Sequence, residues 1–544
     1  MAHSSLRGEP VYTNGVKVGD RIEFPKTPAF SNFAAPARFE GQIMELEVEG
    51  TIPGAVEGTY YHVSMDHRFP PKFQDDILFN GDGCVAAFRI SEGHCDWKRR
   101  FVQTDRYHVE TAARKSLFGR YRNPYTDDES VQGVIRTAAN TNVVFWRGVI
   151  LACKEDGPPF ALDPETLETI GRYDFDGQVL APTFTAHPKI DPKTQSMLTF
   201  AYEAGGNGND GSREIAFYEI DADGRKTEEV WFEAPYCGFI HDFGFTDNFI
   251  ILPLTPLKMD LDRLKKGGAH WAWDPSEYHY FGIAPRHGAK KEDMVWIRHP
   301  NAFQGHVAGH YEKDGKLIFD LTMANGNLFW WFPPEGKDPE PPSARSAVSS
   351  PMTRYIFDIK DMYNITEIMP AFQCPTSAEF SRIDDRFLGQ YYKNFWVLGI
   401  DMARSYDLER CGLTPSGRFN LLVHYNWETA KETIFWPGPT TVFQEPCFVP
   451  ESDDAPEGEG YLVVVVNRMD VKLNELWIFE AQAIQKGPIA KVKLPLRPGV
   501  AFHGNFVDAR DIKEFARRRA AGGDLGPATA ARQPLPWQTL AGQP

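Results

Sequence analysis

Short runs of β-branched and aromatic residues, each closed by turn chemistry, recur along this chain, and helical periodicity is scarce. KLIFDLTM (316–323), NFIILPL (248–254), GYLVVVVNR (460–468) and ELWIFEA (475–481) are of this kind. They are short, and rich in side chains that suit a pleated surface. Asp223-Gly224, Asp314-Gly315 and Asn80-Gly81-Asp82-Gly83 stand among them as hairpin signals. Only 260–266 and 508–519 carry a helical pattern, and both are short. Many short strands joined by Gly/Asp turns over about 450 residues predict an all-β fold, a propeller or a large barrel. No repeat of fixed period is present, which argues against WD or kelch arrays.

The length of 544 residues suggests several domains, but large all-β folds exceed the usual domain size. The expected organisation is one domain over 39–516, with an irregular arm at 1–38 and a disordered Ala/Gly/Pro/Gln-rich tail at 517–544. A Pro/Ser-rich loop at 332–350 interrupts the domain. A net charge of −16, with Arg517-Arg518-Arg519 the longest basic run, argues against nucleic acid or an anionic membrane as partner. The longest apolar stretches, 461–466 and 249–254, are far below the ~20 residues that span a bilayer. The first twenty residues hold no apolar core of a secretory leader. Seven cysteines stand singly, without a CxxC pair, as befits a reducing compartment. A cytoplasmic protein is the expectation.

Four of the fifteen histidines sit in strand-like, aromatic-rich settings: His187 in FTAHPKIDP, His241 in FIHDFGFTDNF, His306 in NAFQGHVAGHY and His503 in VAFHGNF. Separations of 54, 65 and 197 residues match no local metal motif. Taken singly, each reads equally as a core histidine donating to a backbone carbonyl. A propeller, however, brings the inner strands of successive blades to one axis, where histidines contributed one per blade would meet.

EGTYYHVSMDHRFPP, FNGDGCVAAFRI, LFGRYRNPYTDD, RTAANTNVV, FTAHPKIDP, FIHDFGFTDNFIILP, NAFQGHV, EFSRIDDRF, FQEPCFVP and FHGNF follow one another between about residues 50 and 506. In that order and combination they resemble the carotenoid cleavage oxygenase family, non-haem iron(II) dioxygenases that split alkene bonds. Within it the chain is most similar to the lignostilbene dioxygenase branch, which includes fungal stilbene-cleaving members. The resemblance implies a seven-bladed β-propeller, with loops and short helices capping a central iron site. It makes His187, His241, His306 and His503 the ligands of one Fe(II), with O2 as co-substrate. Four neutral imidazoles leave the metal its full +2 charge and up to two open octahedral positions. It also makes Glu155, Glu379 and Glu445 the carboxylates that orient those rings. Outside the family, such glutamates would be ordinary surface residues. Thr141 matches a position whose methyl group crowds one coordination site.

Tyr121 in GRYRNP and Lys154 in ACKEDG read in isolation as a turn tyrosine and a solvated lysine. In the lignostilbene branch the matching pair holds the 4-hydroxyl of a phenolic substrate, where an ammonium favours the phenolate. Phe79, Phe303 and Phe329 align with aromatics that sandwich flat rings, or are plain core residues. The implied reaction is cleavage of the side-chain double bond of 4-hydroxylated stilbenes or phenylpropenes (resveratrol, piceatannol, isoeugenol) to aromatic aldehydes. Its alternatives are a carotenoid or apocarotenoid cleaver and a non-catalytic propeller scaffold. Either a monomer or a homodimer is compatible with the sequence. Three positions depart from the family pattern. Ser381 replaces a frequent proline, while His310 and His299 add histidines near His306, so that His310 competes with His306 as a ligand.

Overall fold

The computed structural model describes residues 12–13, 16–17, 23–206, 211–339, 348–412 and 418–520. Beside a two-stranded hairpin, its strands form sheets of four, four, six, seven, five and five strands. The seven-stranded sheet is two blades sharing one long strand, Phe372–Arg382. The first half of that strand pairs back to Pro351–Asp358, and its second half pairs forward to Asn394–Gly399. The result is a seven-bladed β-propeller.

The inner strands, from blade 1 to blade 7, are Ala501–Asp508, Asn142–Trp146, Lys189–Ile190, Gly244–Phe245, Phe303–Lys313, Phe372–Arg382 and Thr441–Pro450. Two antiparallel pairings between distant segments close the ring. Ala501–Asp508 lies against Gly58–Asp66 in blade 1, and Glu47–Gly50 adds the outermost strand of blade 7 beside Ala490–Leu494.

Blade packing explains why several strands are apolar throughout instead of alternating. Leu462 to Val466, within Gly460–Arg468, are all fully buried. Successive side chains of a strand point to opposite faces. Val463 and Val465 therefore join Phe88 and Trp97 of blade 1, while Leu462, Val464 and Val466 join Trp396 of blade 6. Trp396 stacks on His424 at 5.4 Å and on Phe448 at 5.0 Å, and its indole N–H donates to the Ala481 carbonyl at 2.7 Å.

The described helices are α1 (Asp105–Ala113), α2 (Leu261–Lys265), α3 (Leu408–Cys411) and α4 (Ala509–Ala520). Periodicity anticipates α2 and α4. It misses α1 because that helix buries Asp105, Arg106 and Glu110 rather than an apolar stripe. Thr104 caps α1 by accepting from the Tyr107 N–H. Arg106 pairs with Glu110 at 3.2 Å and donates to Asn80, while Glu110 accepts from the backbone of Leu117 and Phe118. These bonds order the two cap segments that carry Phe79 and Tyr121.

The arm expected at 1–38 is compact where it is described, with Phe30 and Phe33 buried in 3-10 turns. Residues 517–520, expected in the tail, are the last turn of α4; 521–544 lie outside the described residues, as do 340–347 of the Pro/Ser-rich loop. No helix among the described residues is long and apolar enough to cross a membrane. The seven cysteines are free thiols, all buried except the half-buried Cys237.

Trp396→Ala is expected to cost about 3–5 kcal/mol, the usual range for a buried aromatic removed from a packed core. Urea unfolding measures this, and a loss below ~1 kcal/mol would contradict the inter-blade role given to this ring.

Candidate metal centre

The propeller axis gathers the four histidines picked out from the sequence. One ligand atom from each of His187, His241, His306 and His503 lies within 4.8 Å of all the others. Neighbouring ring centroids are 4.5 Å apart for His187–His241 and His187–His503, 4.6 Å for His306–His503 and 4.9 Å for His241–His306.

Local irregularity aims these side chains. The register shifts around His306 between Gln304 and Val307, and around His503 between Ala501 and Gly504. It also shifts after Glu379 and between Phe443 and Pro446, the pair that brackets Glu445. A bulge turns a side chain away from the direction that strict alternation would give it. Phe380, directly after Glu379, takes φ +57, which re-aims the strand at that point. His187 and His241 need no bulge, because they lie just outside the short strands Lys189–Ile190 and Gly244–Phe245.

Three of the four rings are braced. His241 Nδ1 meets Glu155 Oε1 at 2.5 Å, His306 Nδ1 meets Glu379 Oε2 at 2.5 Å, and His503 Nδ1 meets Glu445 Oε1 at 3.0 Å. A carboxylate only accepts, so each Nδ1 carries the proton and each neutral ring turns an Nε2 lone pair to the axis. His241 Nε2 and His306 Nε2 are 3.0 Å apart, and His187 Nε2 is 3.1 Å from His241 Nε2. Acceptors at that separation repel unless a cation lies among them, so this donor set fits a transition metal that favours imidazole.

Charge placement agrees at His187 and His503. Burial holds the His187 imidazole well below its ordinary pKa, and burial, only partly offset by Glu445, lowers that of His503 to about 4. His306 behaves differently: burial opposes its charge, but the carboxylates of Glu379, Asp242 and Glu445 together outweigh burial and raise its pKa. Arg122 lies 3.7 Å from Glu155, and Arg382 lies 3.7 Å from Glu445. Glu379 relies instead on the Thr322 hydroxyl at 2.6 Å and the Phe380 N–H at 3.1 Å.

A second charged group lies at the end of an aromatic run. Lys154 is buried and its Nζ stands 3.0 Å from Asp156 and 5.1 Å from the Tyr121 ring centroid. Burial lowers the Lys154 pKa and Asp156 opposes that fall; Asp156 itself is held at about 2, its burial overcome chiefly by Lys154. Burial pushes the Tyr121 phenol far above its usual range, and the neighbouring Arg122 only partly opposes this. From Tyr121, ring contacts lead to Phe79 at 6.3 Å, then Phe329 at 5.3 Å, then Phe303 at 4.8 Å. Phe239 joins this cluster to the metal site, 5.6 Å from Phe329 and stacked on His241 at 5.5 Å.

Thr141 precedes the inner strand of blade 2 and turns its hydroxyl to Asn140 at 3.2 Å. The other two histidines near His306 stand outside the cluster of four. His310 is fully buried with its Nδ1 accepting from the Phe245 N–H at 3.3 Å, and burial lowers its pKa to about 3. His299 is engaged by the Pro300 carbonyl and the Tyr355 hydroxyl. Ser381, at the departure from proline, donates to the His306 carbonyl at 3.2 Å. Sequence reasoning misses Asp156, Arg122 and Tyr202, which donates to Glu155 at 2.8 Å and accepts from Arg122 at 2.6 Å. The signal available was adjacency, since Arg122 follows Tyr121 and Asp156 follows Glu155.

Imidazoles that meet as bare acceptors at the centre of a propeller form the donor set of a non-haem metal site. The family model described as retinal pigment epithelial membrane protein matches residues 34–508, and the chain belongs to this family, the carotenoid oxygenases. It is 49% identical to resveratrol cleavage oxygenase 1 of Chaetomium globosum, over 97% of this chain and 96% of that one. It is 38% identical to isoeugenol monooxygenase of Pseudomonas putida, over 88% of this chain and 97% of the relative. The crystal structure of Pseudomonas brassicacearum lignostilbene dioxygenase superimposes with a TM-score of 0.86 at 38% identity, covering 90% of this chain and 100% of that one.

Gly305 has no space for a side chain: a Cβ there would lie 1.7 Å from Glu379 Oε1 and 2.1 Å from Thr322 Oγ1. Gly305→Ala is therefore expected to push Glu379 off His306 and weaken metal binding about 10–100-fold, as loss of an outer-sphere partner does. Metal titration of the variant tests this, with Gly54→Ala, where nothing lies within 4 Å, as the control.

Proposed function

We propose that the protein is an iron(II) dioxygenase that cleaves the side-chain double bond of 4-hydroxylated stilbenes or phenylpropenes, giving aromatic aldehydes. The observation that carries this reading is the buried Lys154 ammonium beside Tyr121, at the end of an aromatic run that begins at the four histidines. An alkene substrate with a phenol at one end matches that polarity. A carotenoid offers such a cation no partner.

His187, His241, His306 and His503 would hold one iron, with Glu155, Glu379 and Glu445 fixing three of the rings. Iron supplies a site at which dioxygen is bound and activated. Both oxygen atoms enter the products, so one C=C bond and one O2 become two C=O groups with no added reductant.

The remaining tasks fall to side chains. Tyr121, kept protonated by burial, orients the phenol oxygen by hydrogen bonding. Lys154 stabilises negative charge on that oxygen, and the phenolate donates electron density through its ring into the alkene. Asp156 keeps Lys154 charged against the cost of its burial. Phe79, Phe303 and Phe329 hold the ring flat and exclude water. Thr141, by the family match, would limit which small ligands reach the bound metal.

Chelation with EDTA is expected to abolish aldehyde production from 4-hydroxystilbene, and ferrous ion to restore it. Lys154→Met should lower kcat by about a hundredfold, the usual cost of losing a donor at a developing oxyanion, while metal analysis finds iron retained. Unchanged turnover in that variant would refute the phenolate role. Asp156→Asn removes the charge that holds the Lys154 pKa up, so the ammonium is lost at lower pH. The alkaline limb of kcat/KM should move to lower pH in that variant, and an unmoved limb would count against the ion pair.

A further inference from the structure

Each brace glutamate gives one oxygen to a histidine ring and the other to a separate donor. For two of the three that donor is a buried hydroxyl. Thr322 Oγ1 lies 2.6 Å from Glu379 Oε1, and Tyr202 Oη lies 2.8 Å from Glu155 Oε2. Glu445 takes the Gly504 N–H on its Oε2 at 3.0 Å instead. The two braces backed by a hydroxyl measure 2.5 Å to the ring nitrogen, and the third measures 3.0 Å.

A hydroxyl has one proton, and here its direction is forced. The His306 backbone N–H donates to Thr322 Oγ1 at 2.9 Å, while the Glu379 carboxylate can only accept, so the Thr322 proton points at Glu379. The His306 carbonyl, 3.5 Å away, is too distant to compete. Arg122, which can only donate, gives a proton to Tyr202 Oη at 2.6 Å, and the Tyr202 proton points at Glu155. Thr322, Tyr202 and Arg122 are all buried. A hydrogen bond donated to a carboxylate draws negative charge toward the donor, and in a buried network that effect passes along the chain of bonds. Less charge then reaches the ring Nδ1–H, and the ring is a weaker electron donor at Nε2.

We propose that Thr322 and Tyr202 keep the bound iron ferrous: their hydroxyls draw charge from Glu379 and Glu155, so that His306 and His241 favour iron(II) over iron(III). Both are positioning residues that act through a glutamate and a ring. The need for them follows from the reaction. Cleavage takes no electrons from outside. If one electron passes from ferrous ion to free dioxygen, ferric ion and superoxide result, and no step of the cycle returns that electron. The inference rests on the iron reading above, and not on which alkene is cleaved.

The test is a redox titration of full-length protein loaded with ferrous ion under argon, without substrate, followed by the EPR signal of the ferric form. Thr322→Val keeps the shape and removes the hydroxyl. At a given ambient potential it should hold about three- to tenfold more ferric ion per ferrous ion than wild type. That is a fall of up to about 59 mV for a one-electron couple, because only part of a hydrogen bond's strength distinguishes the two oxidation states. Thr322→Ser, which keeps the hydroxyl, should titrate like wild type. Tyr202→Phe should shift in the same direction from a different blade. Hydroxyls that served only to hold the glutamates in place would give the opposite sign: a loosened carboxylate frees its ring, iron binds more weakly and the potential rises. A rise, or an unmoved potential, in either variant that keeps its iron overturns the proposal. Loss of iron from both would mean that the hydroxyls secure the site rather than its oxidation state, and would overturn it too. Wild type that takes up no ferrous ion would instead refute the iron reading itself.

Discussion

Everything at the centre of this propeller follows from placing three carboxylates where water does not reach. Glu155, Glu379 and Glu445 are all buried, and an isolated buried carboxylate is too costly to stay ionised. Each is compensated by an imidazole N–H, and the imidazoles then present lone pairs to one another at the axis. Lone pairs that meet so closely suit a cation among them. Histidines and glutamates are thus one electrostatic unit spread over several blades, and the bulges at His306, His503, Glu379 and Glu445 are the backbone's accommodation to it.

The Lys154 end is joined to the histidine cluster by sequence neighbours. Lys154, Glu155 and Asp156 leave one strand in succession, as cation, brace for His241 and counter-ion. Tyr121 and Arg122 do the same opposite them: the tyrosine faces the lysine, and the arginine reaches Tyr202 and Glu203. His270 completes the network, contacting Glu203 and the Arg122 carbonyl. A displacement at either end is therefore transmitted to the other through buried ionic contacts, which tolerate little looseness.

The architecture and the histidine cluster were legible because their signals are local or motif-borne. Valine runs bounded by turns announced buried strands, and the family motifs placed all seven His and Glu residues at the axis. Three things escaped. α1 is held by a buried ion pair rather than an apolar face, so periodicity cannot reveal it. Asp156 looked like one more acidic residue, because its value depends on the burial of Lys154, which no window of sequence reports. Arg122 and Tyr202, as one pair, carried no signal, since their part depends on the burial of Glu155, beside which they lie.

Ring closure has a consequence in time. His503 lies in Ala501–Asp508, which pairs with Gly58–Asp66, so the fourth imidazole joins a blade whose other strands were made first. A ribosome has released His187, His241 and His306 long before the segment with His503 emerges. During that interval the nascent chain offers an incomplete, open set of nitrogens. The four-nitrogen centre therefore exists only once the strand that carries His503 has paired with Gly58–Asp66.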